Sequence, residues 1–436
     1  VRFQIYDVRI VFSTQDFVQR KPESVKNLTM PQNSNRGNEL GASPIRSLMP
    51  YANQAKAQGK RVLHLNIGQP DIETPPSALE AIRNLRNEII AYGPSAGLPS
   101  LRKKVAKYYD KFNANLNSED VFVTTGASEA ILLALVSVCD IGDEVIIPEP
   151  FYANYLGFSH MSSVTIRPLT TKFETGFALP NPNEFEALIN PRTKAIFLCN
   201  PGNPTGQVYE KEALVELMHL VKKHDLFLIV DEVYREFCYD VDFTSVLTFE
   251  GMKEHVIVID SISKVFSSCG ARIGYLITKN RKLQAVVEKY AQLRLCPPYF
   301  GQKLAEACYE NADDYIEKAC QEYIRRREVL YEGLQKIEGL KCYFPRAAFY
   351  NICRLPVPDA EEFCKWMLSD FEHEGHTVML APADGFYWNK MIGKNQVRMA
   401  YILNCEDLKL ALECLNKALQ QYSKRLILNA DLANVR

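Results

Sequence analysis

The sequence predicts an α/β protein: a parallel or mixed β-sheet covered on both faces by helices, joined to a smaller α+β unit. Three observations predict it. Short apolar runs recur through the middle of the chain, separated by helical patterns, as strands buried on both faces of a sheet do. The last third changes to a long charged amphipathic helix followed by separate strands and helices. The chain has 436 residues, too many for one core when domains usually run to roughly 100–200 residues.

Residues 31–41 are polar and rich in Asn, Gly and Ser, and read as linker within a disordered extension over 1–42. The stretch 1–29 carries Arg2, Arg9 and Arg20 with few acids, a weak likeness to an organelle transit segment. A plain extension, with Met30 as the functional start, is the simpler expectation. From Ser43 a short amphipathic helix puts Ile45, Leu48, Met49 and Ala52 on one side. Residues 62–67 form a strand-like run that stops at the turn Gly68-Gln69-Pro70-Asp71. Strands follow over 121–124, 144–147, 195–199, 226–230, 256–260 and 273–277, with helices over 128–138 and 210–223. The last third reads as a helix over 313–337, a strand-like run 349–355, a helix near 360–368, strands 378–380 and 397–402, and a closing helix 406–422. No internal repeat or heptad pattern occurs. The expected division is a large domain over 68–325 and a small one assembled from 43–67 and 326–436.

Composition excludes several functions. The hydrophobic fraction is 47%, the charged fraction 24% and the formal net charge -1, which leaves no electrostatic footprint for nucleic acid or an anionic membrane. No run of apolar residues is long enough to span a bilayer. The 12 cysteines show no Cys-x-x-Cys pair and no zinc spacing, so no metal site is expected. Many, such as Cys139, Cys199, Cys320 and Cys414, sit in apolar segments and read as small buried hydrophobes in a reducing compartment. The expected location is the cytoplasm, with organelle targeting by residues 1–29 as the alternative.

Ligands of open α/β sheets lie beyond the carboxyl ends of the strands. The first such exit carries Thr125-Gly126-Ala127-Ser128, small residues opening a helix whose N–H groups attract an anion; alone this is an ordinary helix cap. The exit near 199 carries Asn200-Pro201-Gly202-Asn203-Pro204-Thr205-Gly206, a rigid turn fit to hold a polar side chain. The exit near 230 carries Asp231-Glu232-Val233-Tyr234. An acid there is costly without a cationic partner, although a capping Asp is an equal reading of this motif alone. The exit near 260 carries Ser261-Ile262-Ser263-Lys264. A lysine amid small polar residues is a candidate Schiff-base former. Arg272, eight positions on, suits a phosphate in a fork geometry.

Together Asn-Pro-x-Asn-Pro-Thr-Gly, Asp-x-x-Tyr and Ser-x-Ser-Lys with its following Arg resemble the class I/II aminotransferases of pyridoxal-phosphate (PLP) fold type I. The resemblance covers about residues 43–422. The opening Ser-Pro-Ile-Arg…His-Leu-Asn-Ile-Gly-Gln-Pro-Asp and the late Thr-Val-Met-Leu-Ala-Pro are similar to bacterial-type aspartate aminotransferase-like members. The resemblance implies a large domain with a mostly parallel seven-stranded sheet flanked by helices, plus a smaller α+β domain. It implies PLP as cofactor and Lys264 as the residue that holds it and shuttles a proton. Asp231 is implied to pair with the pyridine nitrogen, Asn203 and Tyr234 to bond the phenolic oxygen, and Tyr152 to stack on the ring, with Phe151 as rival. Gly126, Ala127, Ser128, Ser261 and Arg272 are implied to hold the phosphate. Tyr92 is implied to reach the cofactor of a neighbouring subunit in a homodimer. Arg398 is implied to bind the substrate carboxylate with Asn203 beside it, and Gly68 to pass close to it. Arg46 is a candidate for a side-chain carboxylate. The chain departs from the family at Ala347, where a glycine often precedes Ala-Phe-Tyr.

The expected activity is transamination from an L-amino acid, aspartate first, to a 2-oxo acid such as 2-oxoglutarate. A C–S or related lyase on the same scaffold is the alternative. A PLP-binding regulatory domain is disfavoured, because the N-terminal extension is short and weakly basic.

Overall fold

The computed structural model of the chain describes residues 31–41, 45–86 and 89–434. The extension over 1–30 and the expected helix start at Ser43 lie outside them. Within the stretch read as linker, Asn35–Glu39 forms a short helix whose Ser34 cap accepts a hydrogen bond from the Gly37 amide at 3.1 Å.

Among the described residues thirteen strands follow in chain order: β1 (Arg61–His64), β2 (Val121–Thr124), β3 (Glu144–Glu149), β4 (Thr165–Thr170), β5 (Thr193–Cys199), β6 (Phe227–Asp231), β7 (Val256–Ser261), β8 (Gly274–Ile277), β9 (Lys341–Cys342), β10 (Tyr350–Arg354), β11 (His376–Met379), β12 (Ala381–Pro382) and β13 (Gln396–Ala400). Seven of them form one sheet in the order β2-β8-β7-β6-β5-β3-β4. β3 to β7 run parallel, and β8 is antiparallel to both of its neighbours.

The strands read as unbroken apolar runs because alternate residues serve two cores. On β6, Leu228 and Val230 point into one cluster while Ile229 points into the other; on β7, Val256 and Val258 oppose Ile257 and Ile259 in the same way. The helices Gly126–Val138 and Arg281–Arg294 cover one face, and Pro99–Tyr108 and Lys211–Lys223 the other. Each such Val, Leu or Ile contributes about 1.5–3 kcal/mol by leaving water. On the second face Asp260 forms a fully buried ion pair with Arg235 and accepts the Tyr109 hydroxyl at 3.0 Å.

A third core brings residues 48–63 against the last third of the chain. Leu48, Ala52 and Leu63 pack with Leu330, Phe363 and Leu415. β1 pairs in parallel with β11, Arg61 opposite His376, and β13 lies between β12 and β10.

Several boundaries move. β1 ends at His64, short of the expected 67, although the Leu65 amide still donates to the Met379 carbonyl at 3.0 Å. The expected helix 128–138 starts two residues earlier, at Gly126. Asp231 ends its strand instead of following it. The closing helix runs Cys405–Asn434, beyond the expected 422. No described helix is long and apolar enough to cross a membrane.

Candidate active site

The exits of β2, β5, β6 and β7 open into one cavity of about 460 Å³. Its wall includes Gly68, Ala127, Ser128, Tyr152, Asn203, Asp231, Tyr234, Ser261, Lys264, Arg272 and Arg398. Of the other residues expected here, Gly126 lies against the Arg272 guanidinium, and Tyr92 is 80% exposed and outside this wall. Phe151 is buried in the core behind the sheet, so Tyr152 is the ring presented to the cavity.

At one end lie free backbone donors. The N–H groups of Gly126, Ala127 and Ser128 open the helix Gly126–Val138 and have no partners within it. Gly126 has φ +72°, and a Cβ there would come within 2.2 Å of Arg272 Nη2, so only glycine lets that guanidinium approach the helix end. Arg272 itself sits in the left-handed region at φ 54° and donates from Nη1 to the Cys269 carbonyl at 2.9 Å. Ser261 caps the short helix Ile262–Val265 that carries Lys264. Free N–H groups, a helix dipole and a guanidinium form an anion cradle of phosphate type.

In the middle of the wall, Lys264 Nζ donates to the Gly68 carbonyl at 2.7 Å. A side chain on Gly68 would strike the Tyr350 hydroxyl at 1.8 Å. That hydroxyl shares a hydrogen bond with Tyr234 at 2.9 Å. The loop after Lys264 is pinned from behind: Thr74 Oγ1 donates to the Ser267 carbonyl at 2.9 Å, and the Tyr315 hydroxyl bonds Ser267 Oγ at 3.1 Å.

Asp231 is in phase with Ile229, so it faces the side of the sheet where Tyr155 packs on Phe197. Its Oδ2 accepts the Tyr155 hydroxyl at 2.8 Å and its Oδ1 the Val233 amide at 3.2 Å. Both donors are neutral. Burial pushes the carboxyl up to about 6, against the pull of those hydrogen bonds and of Lys264. A cation seated against it would supply the missing partner.

Arg398 occupies the middle of β13 opposite Ile352 and Ala381, and is 1% exposed. Its Nη1 donates to Asn203 Oδ1 at 3.0 Å and its Nη2 to the Asn66 carbonyl at 2.5 Å. The guanidinium lies 4.5 Å from the Tyr350 ring centre and 5.0 Å from that of Phe386. Its Nε is buried with no partner, an unmet donor that costs about 1–3 kcal/mol until an acceptor arrives. A carboxylate would meet that need. The turn carrying Asn203 is braced by Gly202, whose amide donates to the Gln207 carbonyl at 2.8 Å, and by Asn200, whose Oδ1 accepts the Tyr209 amide at 2.9 Å.

The sequence reading missed Tyr155 and Phe386, and held Asn66 only within the quoted run His-Leu-Asn-Ile-Gly. It quoted Tyr350 only as part of a motif. Tyr155 follows Tyr152 by one helical turn, the only local signal it gave. The Ala347 departure is absorbed one residue later: Ala348 takes the left-handed conformation at φ 56°. Its amide donates to the Phe237 carbonyl at 2.8 Å, and its carbonyl accepts the Tyr401 hydroxyl at 3.0 Å.

The family described as aminotransferase class I and II matches residues 60–409. The putative aminotransferase YugH of Bacillus subtilis is 32% identical over 381 residues, 84% of this chain and 96% of that protein. An aspartate aminotransferase of Sulfurisphaera tokodaii is 32% identical over 363 residues, 81% of this chain and 89% of its own length. Among solved structures, the alanine aminotransferase from Pyrococcus furiosus has a TM-score of 0.82 at 28% identity, covering 89% of this chain and all of that one (100%). The sheet order, the anion cradle and the buried acid fit PLP fold type I. The chain belongs to the class I and II aminotransferases, and is a transferase whose cofactor is pyridoxal phosphate.

Proposed function

We propose that the enzyme moves an amino group from an L-amino acid, aspartate first, to a 2-oxo acid such as 2-oxoglutarate, in the two half-reactions of a ping-pong cycle. The observation that carries this reading is that the buried Arg398, its Nε unpartnered, lines the same cavity as Lys264 and Asp231.

PLP, when bound, supplies an electrophilic carbon that takes the amino group and a ring that accepts the electron pair left on Cα. Gly126, Ala127, Ser128, Ser261 and Arg272 would hold its phosphate, Asn203 and Tyr234 its phenolic oxygen, Asp231 its ring nitrogen, and Tyr152 one face. The chain's own part is binding, orientation and proton transfer. Arg398 holds the α-carboxylate in its fork, with Asn203 fixing the guanidinium from one side and the Asn66 carbonyl from the other. Lys264 Nζ takes the proton from Cα. Its hydrogen bond to the Gly68 carbonyl marks the direction in which the amine reaches across the cavity. Tyr155 holds the Asp231 carboxylate in place.

We place two copies in the working enzyme, with Tyr92 of each reaching the other's cofactor phosphate. Exposed Tyr92, Ile89, Ile90, Leu293 and Leu295 support this, as does Arg294, whose Nη2 ties the end of its helix to the Ser95 carbonyl at 2.7 Å. All twelve cysteines are free, which supports a cytoplasmic setting.

Incubating the holoenzyme with aspartate and 2-oxoglutarate tests the reading, with glutamate as the expected product. A protein that makes no glutamate, yet releases pyruvate from a cysteine conjugate, is a lyase instead.

A further inference from the structure

None of the 12 cysteines takes part in the proposed chemistry, yet two of them stand directly opposite each other. Cys342 on β9 and Cys353 on β10 are register partners in an antiparallel ladder. Such partners lie about 4.5–5.5 Å apart between Cα atoms. That falls within the range of about 4.4–6.8 Å that a disulfide spans, and the two side chains leave the sheet on the same face. Both turn toward the third core. Cys353 is buried within it, and Cys342 packs against its edge, partly open to solvent.

The two sulfurs are already in contact. The Cys353 thiol donates to the Cys342 sulfur, which holds the Cys342 thiol below its ordinary range, while burial pushes Cys353 up. Gln335, at the end of the helix Ala312–Leu334, adds a second donor, its Nε2 lying 3.5 Å from Cys342 Sγ. The ladder is pinned just beyond the pair. Asn351 Nδ2 donates to the Tyr343 carbonyl at 3.0 Å, and the Tyr343 hydroxyl donates to the Glu174 carbonyl at 2.6 Å. The positions are therefore set before any bond forms. Cys238 and Cys320 are also near each other, but burial pushes Cys320 up to about 12 and raises Cys238 as well. Neither offers a ready thiolate, the form that reacts.

We propose that Cys342 and Cys353 are a thiol pair that hydrogen peroxide converts to a disulfide and a dithiol reductant restores. The Cys342 thiolate attacks one peroxide oxygen, the O–O bond breaks, and the departing hydroxide takes up a proton to leave as water. Cys342 is then a sulfenic acid. The Cys353 sulfur attacks it, the S–S bond forms, and the displaced hydroxide leaves as water with the Cys353 proton. Two thiols and one peroxide thus give one disulfide and two waters, the sulfurs losing the two electrons that the peroxide gains. Cys353 spares Cys342 from further oxidation, and thiol–disulfide exchange reverses the step in a reducing compartment. The bond closes a ring around residues 343–352, the segment that carries Tyr350 to the cavity wall. The proposal stands independently of the aminotransferase reading.

The test treats the holoenzyme with hydrogen peroxide, counts thiols after denaturation without reductant, and maps the digested peptides by mass spectrometry. The wild type is expected to lose two of its 12 thiols, to yield a peptide pair joined through Cys342 and Cys353, and to regain both thiols with dithiothreitol. Cys342→Ser should slow the loss at least about 10-fold. Cys353→Ser should stop at a sulfenic acid on Cys342 that dimedone traps. A link between Cys238 and Cys320 in place of this one, a wild-type Cys342 carried to sulfinic acid without a link, or equal thiol loss in wild type and Cys342→Ser overturns the proposal.

Discussion

Asp231→Asn gives the sharpest view of how the site prepares for its cofactor. In the cofactor-free protein the carboxyl is buried and pushed from 3.8 to about 6. That rise of about two units, at about 1.36 kcal/mol each, corresponds to about 3 kcal/mol. The folded state holds the Asp231 proton more tightly than the unfolded chain does. The group's contribution to stability is therefore fully present below pH ~4 and is lost as pH rises through about 6, after which it is flat. Roughly half of the loss falls between pH 5 and pH 8. Asn cannot titrate, so urea midpoints of the cofactor-stripped wild type and variant should diverge over that range, the wild type losing about 1–2 kcal/mol relative to the variant. Any constant cost of the new amide cancels in the slope. With PLP bound the divergence should shrink, because a cation against Asp231 favours the carboxylate. Identical pH slopes for the two stripped proteins would refute the argument that this acid is held ready for a positive charge.

Four further outcomes follow from the same geometry. Lys264→Ala should lower turnover by at least about 10³-fold with the far-ultraviolet circular dichroism unchanged, because it removes the proton carrier and not the fold; full turnover would sink the mechanism. Arg398→Lys should raise KM for amino acids about 10- to 100-fold, since a lysine keeps the charge but cannot make the fork that engages Asn203 and Asn66. Gly126→Ala should weaken PLP binding about 10-fold or more in an equilibrium titration and cost about 1–2 kcal/mol of stability, given φ +72° and the clash with Arg272. On the opposite face of the sheet from Asp231, Asp260→Ala should cost about 3–5 kcal/mol in a denaturation curve, because it takes from the fully buried Arg235 the nearer of its two carboxylate partners and leaves only Glu236 at 3.5 Å.

Much of the site was legible before any coordinate. In a parallel sheet the chemistry-bearing residues follow directly on apolar runs, so Ser128, Asn203, Asp231 and Lys264 could be read as strand exits, and four linked motifs named the family. The double coverage of the sheet was legible too, since residues facing both cores leave no polar alternation. β4 was not: Arg167 and Thr170 are open to solvent at this edge and Pro168 interrupts the run. The strands β9 and β12 span two residues each and are too short to carry a period.

The amino-acid order alone determined which groups are offered for the chemistry: an amine, an acid, two segments suited to a phosphate and an arginine suited to a carboxylate, each set by its own few neighbours. What they face was decided by the tertiary structure. Tyr155 meets Asp231 across 76 residues and Asn66 meets Arg398 across 332. Those meetings depend on the order of strands in the large sheet and on β1 pairing with β11. Burial is likewise a property of the whole packed sheet, so the high pKa of Asp231 and the orphaned Nε of Arg398 exist only once both cores have closed around them.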